Sequence, residues 1–570
     1  MFKAISFFTI ICFLISNSLQ CVSQNLTLDW VASLGSTTGD QAKAVSIDDN
    51  GNVYYTGSFT GTVDFDPDTG VYNLSGPNNS LFLCKLDRLG EFEWAFATGR
   101  EGTGNDVLVD DQSNVYIAGH FKGSHDFDPS PNVAQLQAGS LISGFIAKYD
   151  NFGNYIWAKM IGNQFNTNEI TSITIDNSHN LYLSGRFFGN TDFDPDTSSY
   201  LMQSAGGSDA FILKLDSNGV FQWSSQIGGD RRDEGNNLVC VGNFIYAIGA
   251  FEDSAQTIHT SGSFNLTSNG DLDSYVSKFD SNGSLIWLKT FGGLHSDFPR
   301  AIAADKNGDL VLNGTFRGPV DFDPGPAVYN LDSGYVFTLK LDTAGNFVWA
   351  NRIQTFFAAT NTFGIAVDSA NNIYNVGGFN GVADFDPGIG VANLQSSQGN
   401  LFLQKLDANG QFQFAIKQNR TSIYNDIRNS ITVDSKSDIY LVGEFRDSVD
   451  FDPDTTVELR VSASSNWPDL FVQKLSQKIL VTSNNETILS KAYPELRVYP
   501  NPNDGNFSLS LPNKTGTYEV IIYNNLGQLV LSKALSQGEE RLKLNLKNGN
   551  YLIKVISQKG IFENKFIINR

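Results

Sequence analysis

The sequence predicts an all-β fold, and three observations point to it. One motif returns seven times at nearly constant spacing, each copy alternates apolar and polar residues with period two, and 12% of the 570 residues are aromatic. The stretch AVSIDDNGNVYYTGSFTGTVDFDPDTG (44–70) recurs at 107–130, 173–197, 302–325, 365–388 and 431–454, with a diverged copy, NLVCVGNFIYAIGAF, at 237–251. Aligned phenylalanines stand at 59, 121, 187, 251, 316, 379 and 445, in steps of 62 to 66 residues. A fixed period of this size is the mark of a repeat architecture.

Each copy reads as four short strands. In the first copy strand A is Ala44–Ile47, strand B Val53–Phe59, strand C Leu81–Leu86 and strand D Phe92–Ala97, all with β-branched or aromatic residues in alternation. Asp-Asn-Gly-Asn joins A to B and Asp-x-x-Gly joins C to D, as tight turns in which Gly and Asn tolerate positive φ. Strand C ends Lys-x-Asp in six copies, and strand D carries Trp94, Trp157, Trp223, Trp287, Trp349 and Phe414. The tryptophans are expected to pack between units, and the lysines to be solvated or salt-bridged surface groups. Gly57 and its six counterparts are expected to permit close backbone approach.

The seventh copy has no aromatic strand D. Its missing piece is LTLDWVASLG (26–35), where Trp30 stands 64 residues before Trp94, in phase with the repeat. An exchange of strands between chain ends closes a ring and leaves few open edges. The expected architecture is therefore a seven-bladed β-propeller closed by the N-terminal strand, spanning 24–481. The repeats resemble bacterial SBBP-type propeller repeats, most clearly in SDAFILKLDSNGVFQWSSQIGG (208–229), and more distantly NHL-type propellers. That resemblance speaks for fold and hardly for function.

The flanking segments carry an address. Lys3 precedes an apolar run from Ile5 to Ile15, too short to span a bilayer, which reads as a cleavable signal peptide over 1–23. No later segment is long and apolar enough for a membrane helix. Signal cleavage removes Cys12 and Cys21, leaving Cys84 and Cys240 as two buried thiols in separate repeats. After a polar linker at 482–494, six period-two runs within 495–570 predict a small β-sandwich. VYPNP (498–502), IYNNLGQLV (522–530) and GNYLIKV (549–555) resemble the type A sorting domain of the type IX secretion system. The resemblance implies that the secretion machinery is a partner, that the host is a Bacteroidota-type bacterium, and that the product is released or surface-bound.

The chain has 39 Lys+Arg against 60 Asp+Glu, a formal net charge of −21. Such an excess argues against nucleic acid or an anionic membrane as partner. The C-terminal 490–570 holds 11 basic and 6 acidic residues, so the repeat region is more acidic than the whole. Much of that charge lies in Asp-Phe-Asp-Pro, which occurs in six B–C loops. Asp40, Glu169, Asp233, Asp297 and Asp426 add to the same face from the D–A loops.

Calcium is the one candidate cofactor, because hard cations take several carboxylate oxygens. Its candidate ligands are Asp64, Asp66, Asp68, Asp126, Asp128, Asp192, Asp194, Asp196, Asp321, Asp323, Asp384, Asp386, Asp450, Asp452 and Asp454. The competing reading has the first Asp cap a turn, the Phe fill a gap between blades and the Pro end the strand. The five histidines are scattered without metal-ligand spacing, and no nucleophile elbow or P-loop is present. The expected function is a monomeric, non-enzymatic binding or adhesion module for extracellular glycan or protein. The alternative is a polysaccharide-acting enzyme with its site in a central funnel. A convergent cluster of His, Arg or paired carboxylates would favour the enzyme, and an unclustered acidic rim the binder.

Overall fold

The computed structural model describes residues 23–258, 264–332, 334–356, 360–419, 430–453, 456–480, 497–499, 506–510, 518–524, 529–535, 539–544, 547–557 and 560–568. The expected signal peptide, the linker, Asp426 and Asp454 lie outside them, apart from Ser23. Among the described residues every regular element is a strand. Asn25–Lys478 forms one compact unit, and Ile479–Arg570 belongs to a second.

The first unit repeats one antiparallel sheet. In sheet 1, Gln41–Ile47 (A), Val53–Asp64 (B), Asn73–Leu86 (C) and Phe92–Ala97 (D) pair in that order. Sheets 2 to 6 follow the same order and begin at Gly102–Val109, Asn168–Ile175, Glu234–Val241, Phe298–Ala304 and Thr360–Val367. Sheet 7 consists of Ile431–Val433, Ile439–Phe445 and Asp469–Leu480, and its fourth strand is the N-terminal Ser23–Leu34. Strand A of each sheet lies against strand A of the next, and that of sheet 7 against that of sheet 1.

Strands B and C run further than the sequence pattern indicated. They continue past Phe59 into a second hairpin segment that ends at Asp-Phe-Asp-Pro. In sheets 4 and 6 this extension also pairs with strand D of the preceding sheet, as in Gln226↔Ile258 and Gln354↔Asp384. The repeated glycine of strand B faces a bulge in strand A. A Cβ at Gly57 would stand 1.9 Å from the Gln41 carbonyl oxygen, so the close approach expected there is real.

Three phenylalanines fill each of six sheets. Phe59, Phe65 and Phe82 are fully buried with ring centroids 5.1 to 6.1 Å apart, and the same triad recurs around Phe127, Phe193, Phe322, Phe385 and Phe451. Such contacts add about 0.5–1.5 kcal/mol per pair beyond area burial.

Between sheets the strand D tryptophan covers the glycine of the next C–D turn. A Cβ on Gly153, Gly219, Gly283, Gly345 or Gly410 would come within 2.7 to 3.3 Å of Trp94, Trp157, Trp223, Trp287 or Trp349 respectively. The strand C lysine belongs to the same seam: Lys85, Lys340 and Lys405 are buried rather than on the surface, while Lys340 and Lys474 make the expected salt bridges, with Asp305 and Asp438. Lys85 Nζ and Trp94 Nε1 both donate to the Asn151 carbonyl at 3.2 Å, and Lys214 and Trp223 do the same to Ser281. Six of these lysines stand 4.9 to 5.5 Å from a tyrosine ring centroid, as Lys85 does over Tyr54. The tyrosine hydroxyl in turn donates to the A–B turn aspartate in five sheets, as Tyr374 does to Asp368 at 2.8 Å.

The second unit has two antiparallel sheets. One comprises Arg497–Tyr499, Asn506–Ser510 and Glu539–Lys543; the other Leu529–Leu535, Tyr518–Asn524, Gly549–Ser557 and Gly560–Ile568. Phe507, Leu509 and Leu542 from the first share one apolar core with Val520, Ile522, Ile553 and Val555 from the second.

Candidate functional site

The Asp-Phe-Asp-Pro loops form closed hydrogen-bonded turns. Asp64 Oδ1 accepts the N–H of Asp66 at 3.1 Å and of Tyr72 at 2.7 Å, and Asp66 Oδ1 accepts that of Asp68 at 3.0 Å. Asp126, Asp192, Asp321, Asp384 and Asp450 bind residues two and eight positions on in the same way. Asp128, Asp194, Asp323 and Asp386 each cap the residue two ahead. Asp196 is drawn to Lys159 at 2.5 Å. Among the described residues, no three His, Cys, Asp or Glu side chains come together as a metal-holding group.

The D–A loop aspartates are not a surface rim. Asp40, Asp233 and Asp297 are fully buried. Oδ2 of each accepts the N–H four residues back, from Ser36, Gly229 and Gly293 at 2.6 to 2.7 Å. Oδ1 reaches the N–H of Thr60, Glu252 and Arg317 at 3.1 to 3.3 Å. Each feels the charge of a second buried aspartate carried by a strand C, namely Asp469, Asp209 and Asp273. Burial, with the neighbouring carboxylate adding to it, pushes Asp233 and Asp297 up to about 7. Burial likewise raises Asp40, Asp209, Asp273 and Asp469 to about 6.

A charged ladder crosses sheets 2, 3 and 4 at the ends of strands A and B. His120 Nδ1 lies 3.6 Å from Glu169, and Arg186 joins Glu169 at 3.0 Å to Glu234 at 2.7 Å. Arg232 reaches Glu234 from the D–A loop at 2.5 Å. Glu169 and Arg186 are a cross-strand pair, so the sheet itself sets their spacing. The carboxylates are deep, with side chains 12% and 3% exposed, while Arg186 and Arg232 are 33% and 51% exposed. Burial lowers His120 to about 4 against the pull of Glu169, so its ring is neutral at neutral pH.

Of this ladder the sequence reading singled out Glu169. The others sit at positions where otherwise similar copies differ: the residue between Gly and Phe of strand B is Ser58, His120, Arg186, Ala250, Thr315, Gly378 and Glu444 in turn. Chemically, the ladder presents guanidinium donors over carboxylates already engaged by them, a preorganised polar surface. His125 is a buried spacer bonded to Thr98 and the Arg100 carbonyl, and His179 pairs with Asp111 at 2.7 Å. Cys84 is buried and Cys240 partly so, and both are free.

Residues 497–569 match the family model described as the secretion system C-terminal sorting domain. The chain carries a type IX sorting signal. It is therefore exported through that system to the cell surface or extracellular space. The chain is also similar to two other proteins at lower identity. An uncharacterized WD repeat-containing protein of Acanthamoeba polyphaga mimivirus is 24% identical over 427 residues, covering 62% of this chain and 30% of its own. The regulatory protein FlaEY of Caulobacter vibrioides is 24% identical over 174 residues, 30% of this chain and 17% of its own. The chain thus spans less than a third of either relative. A solved structure of PorZ, an essential surface component of the type IX secretion system of Porphyromonas gingivalis, covers 95% of this chain at 10% identity and a TM-score of 0.14. Among the described residues no helix is long and apolar enough to cross a membrane.

Proposed function

We propose that the chain is a seven-bladed β-propeller with a C-terminal β-sandwich, acting at the cell surface or outside the cell as a non-enzymatic binding module for glycan or protein. The sorting domain at 497–569 carries the extracellular part of this reading. The ring is supported by one recurrent seam: the tryptophan-on-glycine contact joins sheets 1 to 6 in succession and returns from sheet 7 to sheet 1 through Trp30 and Gly90, while Phe414 takes the tryptophan's place in sheet 6. The C-terminal domain meets the secretion machinery. Loops on a rigid scaffold are where such a fold places recognition.

A polysaccharide-acting enzyme is the second reading, and one observation favours it: Glu169 and Glu234 converge with His120 and Arg186. Binding is preferred because Arg186 is shared between both carboxylates, whereas a hydrolytic pair needs one acid and one base facing a common substrate position. Glycan-array and surface-protein binding by the full chain, run beside hydrolysis and lyase assays on the same polysaccharides, separates the two. Turnover abolished by Glu169→Gln or Glu234→Gln would overturn the binding reading.

A further inference from the structure

A groove of about 650 Å³ runs along strand D of sheet 1, between it and sheet 2. Trp94 and Phe96 line it, stacked at 5.9 Å with an interplanar angle of 14°, Phe96 being largely buried at 8% exposed. Tyr72, 41% exposed, and Phe152, 73% exposed, also line it. Both are held by their backbone: the N–H of Tyr72 donates to Asp64 Oδ1 at 2.7 Å and that of Phe152 to Asp150 Oδ1 at 2.9 Å. Asp128, Ser130 and Asn132 of the Asp-Phe-Asp-Pro loop of sheet 2 complete the polar part of the lining.

The adjoining seam shows why this one is open. Between sheets 2 and 3 the position of Phe96 is taken by Lys159 and that of Ser130 by Asp196, and the two meet at 2.5 Å across the gap. Replacing that ion pair by an aromatic ring and a hydroxyl removes the bridge.

We propose that this groove is a subsite for a neutral, linear oligosaccharide. The inference rests on the binding-module reading and gives it a place and a ligand class. Aromatic faces fixed on rigid turns offer apolar area at little entropic cost, and a sugar ring presents C–H faces to such surfaces. The hydroxyls at its rim require short polar partners, which Asp128, Ser130 and Asn132 supply. Asp128 is the one charged residue of the lining, so acidic saccharides are repelled.

The test is calorimetric titration of the full chain with cellohexaose, chitohexaose, mannohexaose and a galacturonate hexamer. At least one neutral hexamer should bind and the acidic one should not. Phe152→Ala, at an exposed turn, should weaken that binding about tenfold with unchanged melting temperature. The double change Phe96→Lys with Ser130→Asp, copying the neighbouring seam, should abolish it; Ser130→Asp alone should weaken it, which guards against a folding defect in the double variant. Neutral-hexamer binding that survives all three changes overturns the groove and leaves the binding module standing. Preference for the acidic hexamer overturns the subsite itself. A chain that binds no glycan or surface protein at all overturns the parent reading as well.

Discussion

Trp30 lies on Gly90, and a Cβ at Gly90 would stand 2.6 Å from its indole ring. The indole N–H also donates to the Arg88 carbonyl at 3.2 Å, as that of Trp94 does to Asn151 one seam further on. The closing seam therefore uses the same parts as the internal ones. Gly90 and Gly153 have φ of 85° and 80°, where a side chain is strained by about 1–3 kcal/mol before any contact is counted. Gly90→Ala and Gly153→Ala should each destabilise the chain by about 2–4 kcal/mol in chemical denaturation. A neutral Gly90→Ala beside a costly Gly153→Ala would show that the closing seam is not equivalent.

The seam lysines should differ sharply in one sheet. Val311 replaces the usual tyrosine in sheet 5, and Lys340 instead reaches Asp305 at 2.7 Å with side chains only 7% and 1% exposed. Lys340→Met strands a buried carboxylate and should cost about 3–5 kcal/mol. Lys85→Met loses one hydrogen bond and a contact with Tyr54, together about 1–2 kcal/mol. Equal costs measured for the two would refute this account of the seam.

Stability should peak on the acid side of neutrality. Asp233 and Asp297 have folded values of about 7, raised from 3.8, so the folded chain holds their protons more tightly than the unfolded one. Their stabilising share is complete below about 4 and is lost as pH rises through 7. Asp176 and Asp368 act oppositely. Burial opposes their charge, but hydrogen bonds from Asn180 and Tyr182, and from Asn372 and Tyr374, outweigh it and lower both. Their share is present above about 4 and lost below it. The melting temperature should therefore be highest near pH 4 and fall by about 2 °C or more as pH rises to 7. The double variant Asp233→Asn with Asp297→Asn should flatten the alkaline limb; an unchanged limb would count against these groups.

Calcium should leave the melting temperature unchanged. The first Asp of each described Asp-Phe-Asp-Pro loop already accepts two backbone N–H groups through one oxygen, which closes the turn without an ion. Thermal melts with added calcium and with EDTA decide this, and a rise of several degrees on adding calcium would return those carboxylates to the role of ligands.

Much of the architecture was legible because it is local and repeated. Period-two alternation placed Val53–Phe59 and Phe92–Ala97, and the phase of Trp30 against Trp94 located the strand that joins sheet 7. The length of strands B and C was not legible, because Thr60–Asp64 offers a single apolar residue, Val63, whose burial against the core depends on pairing with Asn73–Gly76. Lys85 reads as a surface lysine until its neighbour's Asn151 carbonyl is brought to it.

The sequence by itself determined the all-β class, the seven copies, the closing strand's phase and the export signal, since each is written in residue spacing along the chain. Only the tertiary structure decided what the acids and gaps do. Burial turned Asp40, Asp233 and Asp297 from an expected acidic rim into internal anchors. Apposition of separate sheets assembled His120, Glu169, Arg186 and Glu234 into one ladder and left the groove beside Phe96 open. Desolvation and inter-sheet distance depend on which copies become neighbours in space, and one-dimensional spacing carries neither.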